Sequence, residues 1–228
     1  MTLDVEVRGL FAGRSRTRWP GRPPSAIGKT RLSGGVEISA TGIVGDEQAD
    51  TAVHGGPDKA LHHYPADHYP WWRAELGTVA IRFGPGHFGE NLSTVDATED
   101  DLCIGDILEL GGARVQVSQG RQPCWKLNAH TGVGDMAGRM QESLRTGWYY
   151  RVLVPGVVSP GERLKLIERR HPYWTVREVT SARFASRIDS AVARELAELP
   201  ELAESWRRAF ERKAGPDHVE DARSRLDG

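Results

Sequence analysis

The chain opens with a period of two, since Leu3, Val5 and Val7 alternate with Asp4, Glu6 and Arg8, which is the mark of a half-buried strand. Short apolar stretches bounded by glycine recur at Gly42 to Val44, Ile107 to Leu110, Val115 to Val117, Trp148 to Val154 and Leu164 to Ile167. Many short strands at this spacing predict an antiparallel barrel or sandwich rather than alternating strand and helix units. Arg14 to Pro24, rich in arginine and proline, reads as a loop. Two helical insertions are expected. One spans Pro65 to Leu76, with Pro70 expected to break or kink it; the other spans Asp135 to Leu144, where Met136, Met140 and Leu144 repeat every four residues.

After about Arg170 the strand-type residues give way to alanine, leucine, glutamate and arginine. Three short helices fit this stretch. Val176, Val179 and Arg183 mark the first, Val192, Leu196 and Leu199 the second, and Leu202, Trp206 and Phe210 the third. Their arginines and glutamates read as a solvated face, and no residue there carries obvious chemistry.

A chain of 228 residues has enough mass for one large core, or for a core with a small satellite. Its formal net charge of -1 lacks the basic excess of proteins that grip nucleic acid through phosphates. Any nucleobase-related ligand is therefore expected to be a small molecule. No apolar run approaches the length of a membrane span. Cys103 and Cys124 make no disulfide framework, and no charged segment followed by a long apolar one stands at the N-terminus. A reduced, cytoplasmic setting is the expectation.

The chemistry-bearing stretch runs from Ser118 to Leu127, where Cys124 sits between Arg121 and Lys126 directly after a strand-like segment. Two cations favour the thiolate, the form that attacks electrophiles and binds soft metals. Pro123 donates no backbone hydrogen bond and suits an exposed loop leaving a sheet. The same spacing also fits a small buried thiol. Cys103, between Leu102 and Ile104 with no adjacent cation, reads as buried filler. In His54 to Leu61, the adjacent Gly55 and Gly56 before Pro57 can expose consecutive amides that cradle an anion, or simply form a tight turn. His62, His63 and His68 do not match a recognised zinc spacing.

These stretches, His54 to Leu61, Phe88 to Thr94 and the Cys124 segment, together with Pro24 to Ile27, Gly45 to Ala49 and Gly105 to Ile107, resemble one family. It is the MOSC domains, named after the C-terminal domain of molybdenum-cofactor sulfurase, and within them the bacterial YiiM-like proteins that protect against N-hydroxylated base analogues. The resemblance implies a mainly β fold with α elements: a β-barrel-like MOSC domain with helical insertions at 1–170 and a three-helix domain at 171–228. It implies a molybdopterin-type molybdenum cofactor, with Cys124 as the catalytic residue and protein ligand to the metal. Asn91 stands where an asparagine approaches the cofactor in related proteins. Arg121 matches a basic residue shortly before the ligand cysteine, where a guanidinium can pair bidentately with phosphate. Lys29, His54, Gly55, Gly56 and Lys126 complete the expected cofactor contacts.

The activity so implied is reduction of N-hydroxylated compounds of the N-hydroxylaminopurine type. Electrons are expected from a separate flavoprotein reductase, because the chain shows no dinucleotide fingerprint of its own. The C-terminal helices are expected to act as a lid, a homodimer contact or a docking surface. Two other classes stay open: a sulfur carrier or cofactor-delivery module using a Cys124 persulfide, and a pyridoxal-phosphate or anion-binding protein without turnover.

Overall fold

Each apolar stretch read as a strand is one in the computed structural model, which describes residues 3–49, 55–215 and 218–227. His54 lies outside the described residues. In chain order the strands are β1 (Asp4–Ala12), β2 (Thr30–Arg31), β3 (Val36–Ser39), β4 (Gly42–Ile43), β5 (Leu61–His63), β6 (Leu92–Thr94), β7 (Ile107–Leu110), β8 (Ala113–Gly120), β9 (Trp148–Val154), β10 (Gly156–Val158) and β11 (Arg163–Glu168). The helices are α1 (His68–Leu76), α2 (Trp125–Thr131), α3 (Met136–Ser143), α4 (Val176–Phe184), α5 (Ser190–Glu198), α6 (Glu204–Lys213) and α7 (Arg223–Asp227).

Seven strands form a closed barrel in the order β1-β11-β7-β8-β9-β5-β6, because β1 pairs with both β6 and β11. Closure removes the unpaired edges that an open sheet would present. Neighbours are antiparallel except β5 and β6, which run parallel. Strands β10, β3 and β4 make a small separate sheet. Val7, Leu108, Val115, Val117, Tyr150 and Leu164 fill the barrel and are fully buried.

The C-terminal helices have ordinary local causes. Thr175 caps α4 by accepting from the Glu178 N–H at 3.1 Å, and Asp189 caps α5 by accepting from the Ala191 N–H at 2.7 Å. They have no separate core: Val176, Val179, Leu196, Trp206 and Phe210 belong to the same hydrophobic cluster as the barrel strands. A second cluster, built on Tyr64, Tyr69, Trp72, Phe88, Leu127 and Met140, joins α1, α2 and α3 beside the barrel mouth.

Three local expectations are corrected. Pro70 neither breaks nor displaces α1; it occupies the first turn, where a missing N–H removes no intrahelical bond. The segment after Cys124 is helical, and Pro123 is buried rather than on an exposed loop. Leu199 and Leu202 are buried but lie between α5 and α6, not within them. No helix among the described residues is long and apolar enough to cross a membrane.

Candidate functional site

One mouth of the barrel opens into a solvent-connected cleft that encloses about 110 Å³, a concave site walled by both apolar and polar side chains. Its walls come from the segment after β8 and the start of α2 (Arg121, Gln122, Cys124, Lys126), from β5 and β9 (His62, Tyr149), from the turn before β6 (Phe88, Gly89, Asn91), and from two loops carrying Lys29 and Asp46 to Ala49. The barrel's pairing sets this geometry. His62 stands opposite Tyr149 in the β5–β9 ladder, and their rings lie 5.0 Å apart.

Of the residues expected to contact a cofactor, Lys29, Asn91, Arg121, Cys124 and Lys126 converge on this cleft. Gly55 and Gly56 do not line it; Lys59, three residues on, does. Gly56 has φ of 90°, so the tight-turn reading of the glycine pair has its conformational basis there. Pro57 to Lys59 forms a single short turn held by Asp58, whose carboxylate accepts from Arg151 Nη2 at 2.6 Å.

Asp46 is the hub of the polar wall. It accepts from Lys29 Nζ at 2.5 Å, from Asn91 Nδ2 at 2.8 Å and from the Gly13 N–H at 2.7 Å. Asn91 is spent on the scaffold as well: its Nδ2 also donates to the Phe11 carbonyl at 3.1 Å, while its Oδ1 accepts from the His62 N–H at 3.1 Å. Its amide thus ties β1, β5 and the Asp46 loop together. Lys29 keeps two further ammonium protons beyond the one given to Asp46. Burial holds its pKa below the usual lysine value, against the pull of Asp46.

Arg121 is different. It is buried, its Nη1 has no hydrogen-bond partner among the described residues, and its main chain is fixed by donation to the Gly147 carbonyl at 3.0 Å. An unpartnered buried guanidinium nitrogen is costly unless something else satisfies it. His62 Nε2 is buried without a partner too. Burial first, and the Arg121 charge second, push the His62 pKa well down, so the ring is neutral near pH 7. Burial raises the Tyr149 pKa, so its phenol stays protonated and can donate.

Cys124 is half-buried and stands as the N-cap of α2 in extended conformation, with φ of -137° and ψ of 169°. Two braces hold it. Arg225 of α7 donates to the Pro123 carbonyl and to Gln141 Oε1 at 2.6 Å, and Asn128 Nδ2 donates to the Leu226 carbonyl at 3.0 Å. From the other side, buried Glu90 accepts from Tyr69 Oη at 2.5 Å and from the Gly86 and Phe88 N–H groups at 2.6 and 3.0 Å. That fixes the turn delivering Phe88, Gly89 and Asn91.

Among the described residues no group of three or more His, Cys, Asp or Glu side chains could hold a metal ion. Two of the three neighbouring histidines are engaged in the core. His63 uses both ring nitrogens, on Tyr150 Oη at 2.9 Å and Thr94 Oγ1 at 3.0 Å, and His68 pairs with Glu99 at 2.7 Å.

Comparison with known proteins agrees with this architecture. A family profile described as MOSC domain matches residues 50–165, and one described as YiiM-like, 3-alpha helix domain matches residues 174–213. The chain is 40% identical to Protein YiiM of Escherichia coli (strain K12) over 228 residues, the whole of both proteins. It belongs to the YiiM-like MOSC-domain family. The crystal structure of YiiM from Escherichia coli superposes with a TM-score of 0.83 at 33% identity, covering 99% of this chain and 100% of that one. A protein of Gibberella moniliformis named Reductase is 39% identical over 181 residues, which is 79% of this chain but 32% of that longer protein. The family is associated with molybdenum-cofactor sulfurase-like proteins, and one relative bears a reductase name.

Proposed function

We propose that the cleft holds a molybdenum-pterin cofactor through Cys124 Sγ and that the chain reduces N-hydroxylated compounds of the N-hydroxylaminopurine type. The observation that carries this reading is the pairing of a half-buried thiol with Arg121, a buried cation whose Nη1 has no partner, in a wall whose other polar groups are largely satisfied. The donor set fits such a group. Cys124 is a single soft ligand, so a metal here must bring its remaining donors with it, as a pterin dithiolate does and a bare ion does not. Arg121 is positioned for the anionic end of the ligand, with Lys126 and the remaining Lys29 protons as further donors.

When bound, the cofactor supplies two-electron exchange and removal of one oxygen from nitrogen, converting R–NHOH with two electrons and two protons into R–NH2 and water. The chain's own residues bind and orient. Asp46 and Asn91 keep the wall rigid, neutral His62 and protonated Tyr149 offer hydrogen bonds without adding charge, and Arg121 offsets negative charge. The electrons are assigned to a separate flavoprotein reductase.

The test is molybdenum and pterin content of the protein purified from its own host, beside that of Cys124→Ser. The reading expects both components in the native protein and loss of N-hydroxylamine reduction in the variant. Sulfane sulfur released by a reductant with no metal present would favour the persulfide carrier. Full reduction by Cys124→Ser would remove the ligand assignment.

A further inference from the structure

A second cavity, of about 370 Å³, lies next to the first and shares Lys29 with it. His87, His130, Arg82, Gly28 and Gly86 complete most of its wall, and no carboxylate lines it among the described residues. The two imidazoles lie 5.3 Å apart, and His87 Nε2 is buried with no hydrogen-bond partner among the described residues. Arg18 is at hand as well, its guanidinium donating to the Gly28 carbonyl at 3.2 Å. Neither histidine lines the cleft around Cys124.

The charge balance selects the ligand. Two close histidines invite a divalent metal, but Arg82 lines the cavity with them, Arg18 stands behind Gly28, Lys29 has its carboxylate partner Asp46 outside this wall, and no carboxylate lines the cavity itself among the described residues. A metal cation would find no anionic donor there, whereas an anion with several acceptor oxygens meets the His87 ring nitrogen, the Arg82 guanidinium and the Lys29 protons not given to Asp46. Burial pushes the His130 pKa down to about 4 and lowers that of His87, so both rings are neutral near pH 7; His130 is held by a hydrogen bond to the His87 main chain, which leaves His87 Nε2 as the ring nitrogen open to a ligand.

We propose that this second cavity binds a phosphate group, so that a ligand whose ring portion occupies the Cys124 cleft runs past Lys29 and anchors its phosphate between His87, His130 and Arg82. The phosphate site stands on its own geometry; the continuity with a ring in the cleft rests on the function proposed above. A phosphate monoester on the substrate and a phosphate on the cofactor share this chemistry.

The experiment is titration of the cofactor-free full-length protein with inorganic phosphate, adenosine 5′-monophosphate and adenosine, read by NMR of the histidine rings. Phosphate and the monophosphate are expected to shift His87 and His130, and the monophosphate to bind more tightly than adenosine. Arg82→Ser, at an exposed position, and His87→Gln should each weaken phosphate on the order of tenfold, the loss expected for one charge-assisted hydrogen bond. Cys124→Ser should leave it unchanged. If cofactor loading abolishes the phosphate response, the cofactor's own phosphate fills the cavity; if the response persists, the substrate supplies it. Unmoved histidine rings, a monophosphate advantage that survives both Arg82→Ser and His87→Gln, or a response to zinc in place of phosphate overturns the proposal. Because the titration needs no molybdenum, its outcome is independent of whether the purified protein carries the cofactor.

Discussion

Lys29 Nζ donates to Asp46 Oδ2 at 2.5 Å, and the two side chains are only 7% and 5% exposed. An ion pair so buried is expensive to break from one side, because the survivor is left charged and unpaired. Asp46→Asn is therefore expected to destabilise the protein by about 3 to 5 kcal/mol. Adding Lys29→Met should recover part of that loss. Urea denaturation of the two single variants and the double variant checks this; additive losses would mean the pair is not coupled.

Arg121 has the opposite balance. Its buried Nη1 has no partner among the described residues, so Arg121→Met should leave the cofactor-free protein as stable as before or more so. Ligand retention should fall by about 2 to 5 kcal/mol, at least tenfold. The paired measurements are melting temperature and pterin occupancy after dialysis. A variant that melts far lower while keeping its pterin would make Arg121 a structural residue.

The contrast between Asp46 and Arg121 also explains how much of the site could be read from the sequence. Alternating apolar residues forecast the barrel strands, since a half-buried strand needs a period of two. Cys124 and Arg121 were legible because their chemistry is local: a thiol and a guanidinium three residues apart. Asp46 and Glu90 lay inside stretches that the family resemblance marked, yet their roles depend on partners such as Asn91 and Tyr69 that only the fold brings near. Tyr149 reads as an ordinary strand residue, and nothing local ties Arg225 to Pro123. The helix α2 was hidden because Pro123 and Cys124 suggest a loop, while burial of Leu127 decides the matter.

Histidine burial gives a pH dependence. The His63 pKa is pushed down to about 3 by burial first and by His68 second, His130 lies near 4, and His62 is well below its ordinary value. The unfolded chain binds these protons near pH 6.5 and the folded one resists them, so stability is full above about pH 6.5 and is lost as pH falls toward 3. For fully buried His63 alone the loss is on the order of 4 kcal/mol. His63→Gln should flatten the curve between pH 6.5 and 4; an unchanged slope would place the dependence elsewhere.

The two thiols should differ in reactivity. Burial, then Asp106, pushes the Cys103 pKa up to about 11, and its side chain is 1% exposed, whereas Cys124 is half-buried at the cleft. Iodoacetamide at pH 8 followed by mass spectrometry is expected to label Cys124 first and to leave Cys103 unmodified in the folded protein. Labelling of both at equal rates would contradict the assignment of Cys103 as packing.

The end of β8 and the C-terminal helices meet at Gly120, where an added Cβ would lie 2.0 Å from Thr180 Oγ1 and 3.0 Å from Trp206. Gly120 directly precedes Arg121, so this contact joins the helical region both to the barrel core and to the cleft. Gly120→Ala must push α4 and α6 outward and should cost about 1 to 3 kcal/mol. Thr180→Ala is the informative partner, because Thr180 Oγ1 has no hydrogen bond among the described residues and its removal opens the space. The pair Gly120→Ala with Thr180→Ala should recover most of the stability, while Thr180→Val, which keeps the volume, should not. Because α4 to α6 share one hydrophobic cluster with the strands, each variant should also unfold in a single transition. Two separate transitions, or equal rescue by alanine and valine, would show that residues 171–228 stand apart from the barrel and that the Gly120 contact does not couple them.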